Sequence, residues 1–381
     1  MTDIHTILKK KTELLCKGVF LDENLIDQYK SQGIEIDFGR KGGAGPSGGR
    51  YFLLEDNKTL VNVALWSNPK RSNLLLREFN EERQCFEVYD KRIKGNFCDL
   101  KIIENPKYYG SDYKTSDGIE MKKIALVHGI DCVATTIYQK CAYWECGEGC
   151  KFCGIQVSLA SGATIVEKTA QQISEVMTAA KQENRCTHVT LTSGSPEGED
   201  KGAERYIQVL QGIKEVHPDI PLHIQLEPVN YELLSRLKEA GADTIGIHME
   251  VMDDILRSTI TPGKYKIPYE KYEESWKNSI EIFGKNQVES YLLTGFGESR
   301  VDFLNDLEKV VSLGVIPFIT PVRCVPGSKK VMPTMNYNAL IEIYQKAAKL
   351  LKEYGVNPLE NKAGCVRCGG CSAISEAYKT V

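Results

Sequence analysis

Seven of the thirteen cysteines fall in two tight groups, Cys141, Cys146, Cys150 and Cys153, then Cys365, Cys368 and Cys371. The segment from Ile137 to Cys153 reads IYQKCAYWECGEGCKFC, in which Cys146, Cys150 and Cys153 have CxxxCxxC spacing with Phe152 before the last thiol. Three thiolates on one loop can hold three irons of a [4Fe–4S] cluster and leave the fourth iron open to a small molecule. A zinc site is the alternative. It wants four ligands in a tetrahedron, and Cys141 is available as the fourth. The second group, GCVRCGGC, is a CxxCxxC run, which suits iron–sulfur ligation better than zinc, whose structural sites usually split into two pairs. It predicts an auxiliary cluster whose fourth ligand is Cys132, Cys324, a non-cysteine group or the substrate. The remaining six, Cys16, Cys85, Cys98, Cys132, Cys186 and Cys324, are scattered, and a buried small apolar side chain is the ordinary reading of each. An odd cysteine count without an export signal argues against a disulfide framework.

These loops need elements to hold them. From about 124 to 355 the chain alternates strand and helix. The expected strands are 133–139, 188–194, 222–227, 243–251, 287–295 and 316–323. The helices are expected near 167–182, 202–216, 231–240, 268–284, 300–313 and 336–354. Within the strands, Leu222, Ile224 and Leu226 share one face and His223, Gln225 and Glu227 the other. Ile245, Ile247, Met249 and Val251 oppose Gly246, His248 and Glu250 in the same way, and Val189 and Leu191 oppose His188, Thr190 and Thr192. A strand covered by helices on both faces would be apolar on both. Three strands with one polar face instead predict a lumen, in a partial (β/α)6 TIM-type barrel with the first cysteine loop at its C-terminal end, where such folds build their sites.

The expected organisation is an N-terminal α+β region over 1–120, the partial barrel over 121–355 and a cysteine-rich auxiliary-cluster tail over 356–381. In the first region, residues 4–16 read as an amphipathic helix, and RYFLLED and TLVNVALW as paired strands with Asn57 at their turn. The Gly-rich stretch Gly42–Gly49 is not a phosphate loop, because it lacks the Gly-Lys-Ser/Thr ending and runs into a strand. It reads as a surface loop or an active-site lid. With 381 residues, 42% hydrophobic and 26% charged, the chain can bury a large core. A net charge of −3 argues against a nucleic-acid binder. No run approaches the length of a membrane span and no signal-peptide core is present, so a cytoplasmic location is expected.

The cysteine loop in its strand–loop–helix setting resembles the radical SAM superfamily, in which the open iron chelates the amine and carboxylate of S-adenosylmethionine. A longer resemblance is to the radical SAM proteins encoded beside nitrilases in bacterial gene clusters. It rests on GRKGGAGP at 39–46, KIALVHGIDCVATT at 123–136, CKFCGIQVSLASGATI at 150–165, THVTLTSG at 187–194 and GCVRCGGCSA at 364–373. The superfamily's first ligand hangs just beyond the first strand. That position favours Cys141 with Cys150 and Cys153, as the closer resemblance also does, over Cys146 with the same pair. The resemblance further implies cofactor contacts from Thr192, Ser193, Gly194 and Ser195 at the end of strand two. Ser195 stands where a glutamate is usual there. His248 and Glu250 are expected on the ribose, and Gly295 and Gly297 near adenine. Phe152, Gln225 and Glu227 are further expected cofactor contacts. Gln225, Glu227 and Arg323 are expected to line the cavity around the substrate or the methionyl carboxylate, and Glu227 and Arg323 are the candidate catalytic groups. A lysine or arginine partner is the alternative fate of Glu250. The activity implied is reductive cleavage of S-adenosylmethionine and hydrogen abstraction by the 5′-deoxyadenosyl radical from a small-molecule substrate, with a one-electron donor such as flavodoxin or ferredoxin. Sulfur insertion of the biotin or lipoyl synthase kind is one alternative, and a non-catalytic iron–sulfur or zinc scaffold another.

Overall fold

The computed structural model describes residues 3–31, 33–34, 36, 49–323 and 335–381. The sequence expectations on Gly42–Gly48 and on Cys324 lie outside these residues. The first region holds more strand than expected. Only the hairpin of β2 (Gly49–Leu54) and β3 (Leu60–Trp66) was anticipated, with Asn57 in the positive-φ conformation at its turn. Around it close β1 (Val19–Phe20), β4 (Leu74–Asn80), β5 (Cys85–Asp90) and β6 (Gly95–Ile102), in the order β1-β3-β2-β6-β5-β4. Closure removes the unpaired edges that a lone hairpin would present. Its core is aromatic: Phe86 meets Tyr29 edge-on at 5.0 Å and Phe52 at 6.3 Å. The helix Ile4–Lys17, capped by Asp3, packs outside β3.

The second sheet has seven strands in sequential order. A short β7 (Leu126–His128) runs antiparallel to β8 (Cys132–Tyr138). Then β9 (His188–Ser193), β10 (Leu222–Leu226), β11 (Thr244–Ile247), β12 (Val288–Thr294) and β13 (Ile316–Pro321) follow in parallel, each reached through a helix. All six expected parallel strands and their helices are present, and the sheet curls into the predicted partial barrel. The amphipathic alternation explains the curl. Val189, Leu191, Leu222, Ile224, Ile245 and Ile247 are buried towards the helices, while His188, Thr190, His223 and Glu289 are buried in the lumen. β11 is shorter than expected. Glu250 takes a φ of 64° and touches β12 only through an isolated bridge to Leu292, which turns the chain out of the sheet.

The lumen has two storeys. The upper one is a cavity of about 260 Å³. The lower one is filled by the C-terminal segment, which is therefore no peripheral tail. Asn62 donates its backbone N–H to the carbonyl of Gly370 (2.7 Å), and Thr320 donates to the carbonyl of Cys371 (2.9 Å). Lys11, fully buried on the N-terminal helix, binds Glu376 (2.7 Å) and the Gly369 carbonyl (2.8 Å). No helix among the described residues is long and apolar enough to cross a membrane.

Candidate active site

The Cys141–Cys153 loop leaves the C-terminal end of β8 and is pinned by β9. The Gly194 N–H bonds the Tyr138 carbonyl at 2.8 Å, and the Ala142 N–H bonds the Ser195 carbonyl at 2.8 Å. At this crossing a Cβ on Gly194 would stand 1.9 Å from the Lys140 carbonyl oxygen and 3.1 Å from the Cys141 Cβ. Only glycine fits. Lys151 N–H to the Ile260 carbonyl (2.8 Å) and Gly263 N–H to the Glu148 carbonyl (3.2 Å) hold the far side.

Cys141 is buried and lies within electrostatic reach of both Cys150 and Cys153. Burial pushes the Cys153 thiol up, against the pull of hydrogen bonds from the Ile155 N–H and the Trp144 indole. Cys146 is exposed and turns outward, 3.6 Å from the Tyr143 carbonyl and 3.7 Å from the Glu148 carboxylate. The loop thus brings Cys141, Cys150 and Cys153 together and leaves Cys146 apart. Among the described residues no three His, Cys, Asp or Glu side chains converge closely enough to hold a single metal ion.

Phe152, Cys153, Thr192, Ser193, Ser195, Gln225, Glu227, His248, Glu250 and Arg323 all line the upper cavity. Gly194 does its work by packing beneath the loop. Gly295 and Gly297 are outside the lining. They have φ of 111° and 104°, and the N–H groups of Gly295 and Phe296 are taken by the Glu298 carboxylate at 2.7 and 2.8 Å. Their turn borders a smaller groove with Val251, Met252 and Phe296.

Glu250 has the lysine partner named as its alternative fate. Lys264 binds both its oxygens at 2.9 Å. Burial alone would pull the Lys264 ammonium down, but Glu250, with further help from Glu227, holds it well above its ordinary value. Replacing Lys264 by Met should leave a buried carboxylate unpaired and destabilise the apoprotein by about 3–5 kcal/mol. A denaturant melt checks this, and an unchanged midpoint would show the pair to be solvated.

Glu227 accepts from Ser195 Oγ at 2.8 Å and from the Tyr143 hydroxyl at 3.1 Å, with Lys201 at 3.8 Å. A carboxylate thus stands behind Ser195 after all, supplied by the end of β10. His248 stacks on Tyr291 (centroids 4.1 Å apart), which stacks on Phe318 (4.9 Å). The Tyr291 N–H donates to His248 Nδ1 at 3.1 Å, so a neutral ring carries its proton on Nε2. Burial holds His248 well below its ordinary pKa, and Nε2 is buried with no hydrogen-bond partner among the described residues. It is a neutral donor left for a ligand. Arg323 is paired to neutral groups, the side chain and the carbonyl of Asn62, and has no carboxylate within ion-pair reach among the described residues. Lys264, Tyr143 and Tyr291 were not anticipated. Tyr143 and Tyr291 lay within segments already singled out, but nothing in the spacing of Lys264 marks it.

A family model for the radical SAM superfamily matches residues 145–310. The chain carries a radical SAM domain. The matched span contains Cys146, Cys150 and Cys153 and starts after Cys141, so sequence matching and loop geometry differ on the first thiolate. A lipoyl synthase of Sulfolobus acidocaldarius is 24% identical over 214 residues, 55% of this chain and 69% of that protein. A bacteriochlorophyllide c C-7(1)-hydroxylase of Chlorobaculum limnaeum is 24% identical over 261 residues, 63% of this chain and 65% of that protein. These matches span about two thirds of the relatives' lengths. Among solved structures, a methylornithine synthase superposes with a TM-score of 0.47 at 15% identity, covering 64% of this chain and 71% of that one. As a radical SAM enzyme the protein works with a [4Fe–4S] cluster and S-adenosylmethionine, and a cavity bordered by Cys153, with Cys141 and Cys150 near that thiol, fits that pair.

Proposed function

We propose that Cys141, Cys150 and Cys153 hold the cluster, and that the enzyme abstracts hydrogen from a small molecule bound in the upper cavity. When bound, the cluster and S-adenosylmethionine supply a 5′-deoxyadenosyl radical by one-electron reduction of the sulfonium, with flavodoxin or ferredoxin as the class of electron donor. The observation that carries this is a half-open cavity beside Cys153 that gathers Glu227, Glu250, Arg323 and the unpartnered Nε2 of His248. Glu227, oriented by Ser195 and Tyr143, takes the methionyl ammonium in place of the missing strand-two glutamate. His248 Nε2 donates to a ribose or substrate oxygen, and Glu250 keeps lone pairs beyond those used by Lys264. Arg323, fixed by Asn62, faces a substrate anion across the cavity.

The test is anaerobic reduction with candidate metabolites, following 5′-deoxyadenosine and transfer of deuterium into it. No 5′-deoxyadenosine from a fully iron-loaded protein would overturn the reading. Glu227→Gln keeps the shape but removes a charge-assisted contact of about 1.5–3 kcal/mol. Affinity for S-adenosylmethionine should fall about tenfold to a hundredfold, measured by calorimetry on the unreduced holoprotein. Unchanged affinity would move the ammonium elsewhere.

Cys365, Cys368 and Cys371 are the proposed ligands of an auxiliary cluster in the lower storey. Reconstituted protein should then carry about eight irons per chain, and about four with freely titratable C-terminal thiols would remove the second site. A sulfur-insertion reading has one specific support. Cys371 lines the upper cavity, so a cluster there would border the substrate.

A further inference from the structure

The lower storey contains a narrow cavity whose lining includes Cys365, Cys368, Cys371 and also Cys132, beside Tyr51, His128, Thr190, Phe318 and Gly370. Cys132 opens β8 at the end of the barrel opposite the first cysteine loop. It is fully buried, and Cys368 is the foremost charge acting on it. Cys368 lies under the β7–β8 turn, where a Cβ on Gly129 would stand 3.2 Å from its sulfur. Gly129 has a φ of 62°, a conformation that favours glycine and lets the turn close over the thiol. The C-terminal run thus meets a fourth thiol from the first strand of the sheet.

Burial pushes all four thiols up, and polar groups around them act in the opposite direction. Tyr291 donates to Cys365 Sγ at 2.7 Å and the Gln225 amide to the same sulfur at 3.6 Å. The Tyr51 hydroxyl stands 3.7 Å from Cys371 Sγ. Arg323 and Lys11 both act on Cys371 as opposite charges. Two cations and three donors around the cysteines offset the negative charge that a set of ligated thiolates brings into the barrel.

We infer that Cys132 is the fourth protein ligand of the auxiliary cluster, which is closed by four thiolates within the barrel floor. This rests on the reading of Cys365, Cys368 and Cys371 as cluster ligands. With all four irons held by the chain, no iron remains for substrate to ligate. The cluster then borders the upper cavity through Cys371, Phe318, Tyr291 and Gln225, all of which line it.

The experiment uses a background in which Cys141, Cys150 and Cys153 are alanine, so that only the auxiliary site takes iron. Cys132→Ser in that background should lose about one iron of four, with a three-iron EPR signal in the oxidised protein, or lose the cluster altogether. Cys186→Ala, a buried cysteine outside the cavity, and Cys324→Ala should leave iron and spectrum unchanged. Full iron with an unaltered spectrum in Cys132→Ser would overturn the inference, as would loss of the cluster in Cys324→Ala. Full iron after replacing Cys365, Cys368 and Cys371 together would instead sink the underlying reading. A measurement on the unsubstituted chain avoids any folding defect. Pulsed EPR of its reduced auxiliary cluster in 17O-water should show no water bound to iron, and a directly coupled oxygen would refute closure by four thiolates.

Discussion

Cys141→Ala should abolish reductive cleavage of S-adenosylmethionine, while Cys146→Ala retains most of it. The CxxxCxxC spacing of Cys146, Cys150 and Cys153, and the start of the family match at residue 145, point the other way. The loop geometry decides the expectation. Cys141 is buried beside Cys150 and Cys153, on the residue where β9 crosses the loop, whereas Cys146 lies in solvent beside Glu148 and close to Lys266. Bringing Cys146 inward would break the Cys141–Glu145 turn, whose backbone bonds run from Trp144 and Glu145 to the Cys141 carbonyl. Iron content, EPR and 5′-deoxyadenosine yield are to be compared in the two variants. An active Cys141→Ala protein beside an inert Cys146→Ala protein would show that the loop refolds around the cluster to obey the spacing.

Gly194→Ala is expected to be nearly as damaging, although it alters no ligand. Its φ is not positive, so the backbone poses no obstacle. The obstacle is the Lys140 carbonyl, 1.9 Å from where the new methyl would stand, and backbone cannot rotate away as a side chain tip can. Either β9 or the cysteine loop must shift. Overpacking of this kind costs about 1–3 kcal/mol or more, and here the shift falls on Cys141. The expected result is a folded chain that binds the auxiliary iron but loses the cluster at the first loop. Normal iron at both sites, with unchanged S-adenosylmethionine cleavage, would mean that the strand end yields without cost.

The parallel sheet was legible because its strands alternate so cleanly. Apolar Leu222, Ile224 and Leu226 against His223, Gln225 and Glu227 require both a helical cover and a polar lumen, and period two states which residue goes where. The same alternation marked Thr192, Gln225, Glu227, His248 and Glu250, which line the cavity. The N-terminal barrel was not legible. Its later strands are as long as those of the hairpin but are interrupted by charges such as Arg77, Glu78, Glu87 and Lys101 on a small closed sheet. Lys264 was hidden for a different reason. Its role comes from a loop folding back over β11, and no local pattern records a contact made fourteen residues away by a side chain tip. The place of the Cys365–Cys371 segment inside the barrel was not legible either, because position along the chain says nothing about where a segment returns in space.

That return has a bearing on how the protein matures. The thiols of the first loop are neighbours in sequence, so an iron donor can load them as soon as β8 and β9 have paired. The lower site is assembled from the N-terminal helix, the small barrel, the start of β8 and the last residues of the chain. The Lys11–Glu376 bond that locks it joins groups 365 positions apart. Such a site forms only when the segment from Cys365 to Glu376 docks against both sheets. Assembly and retention are therefore one event in this topology: the docking that gathers the lower thiols is also the latch that would hold a cluster among them.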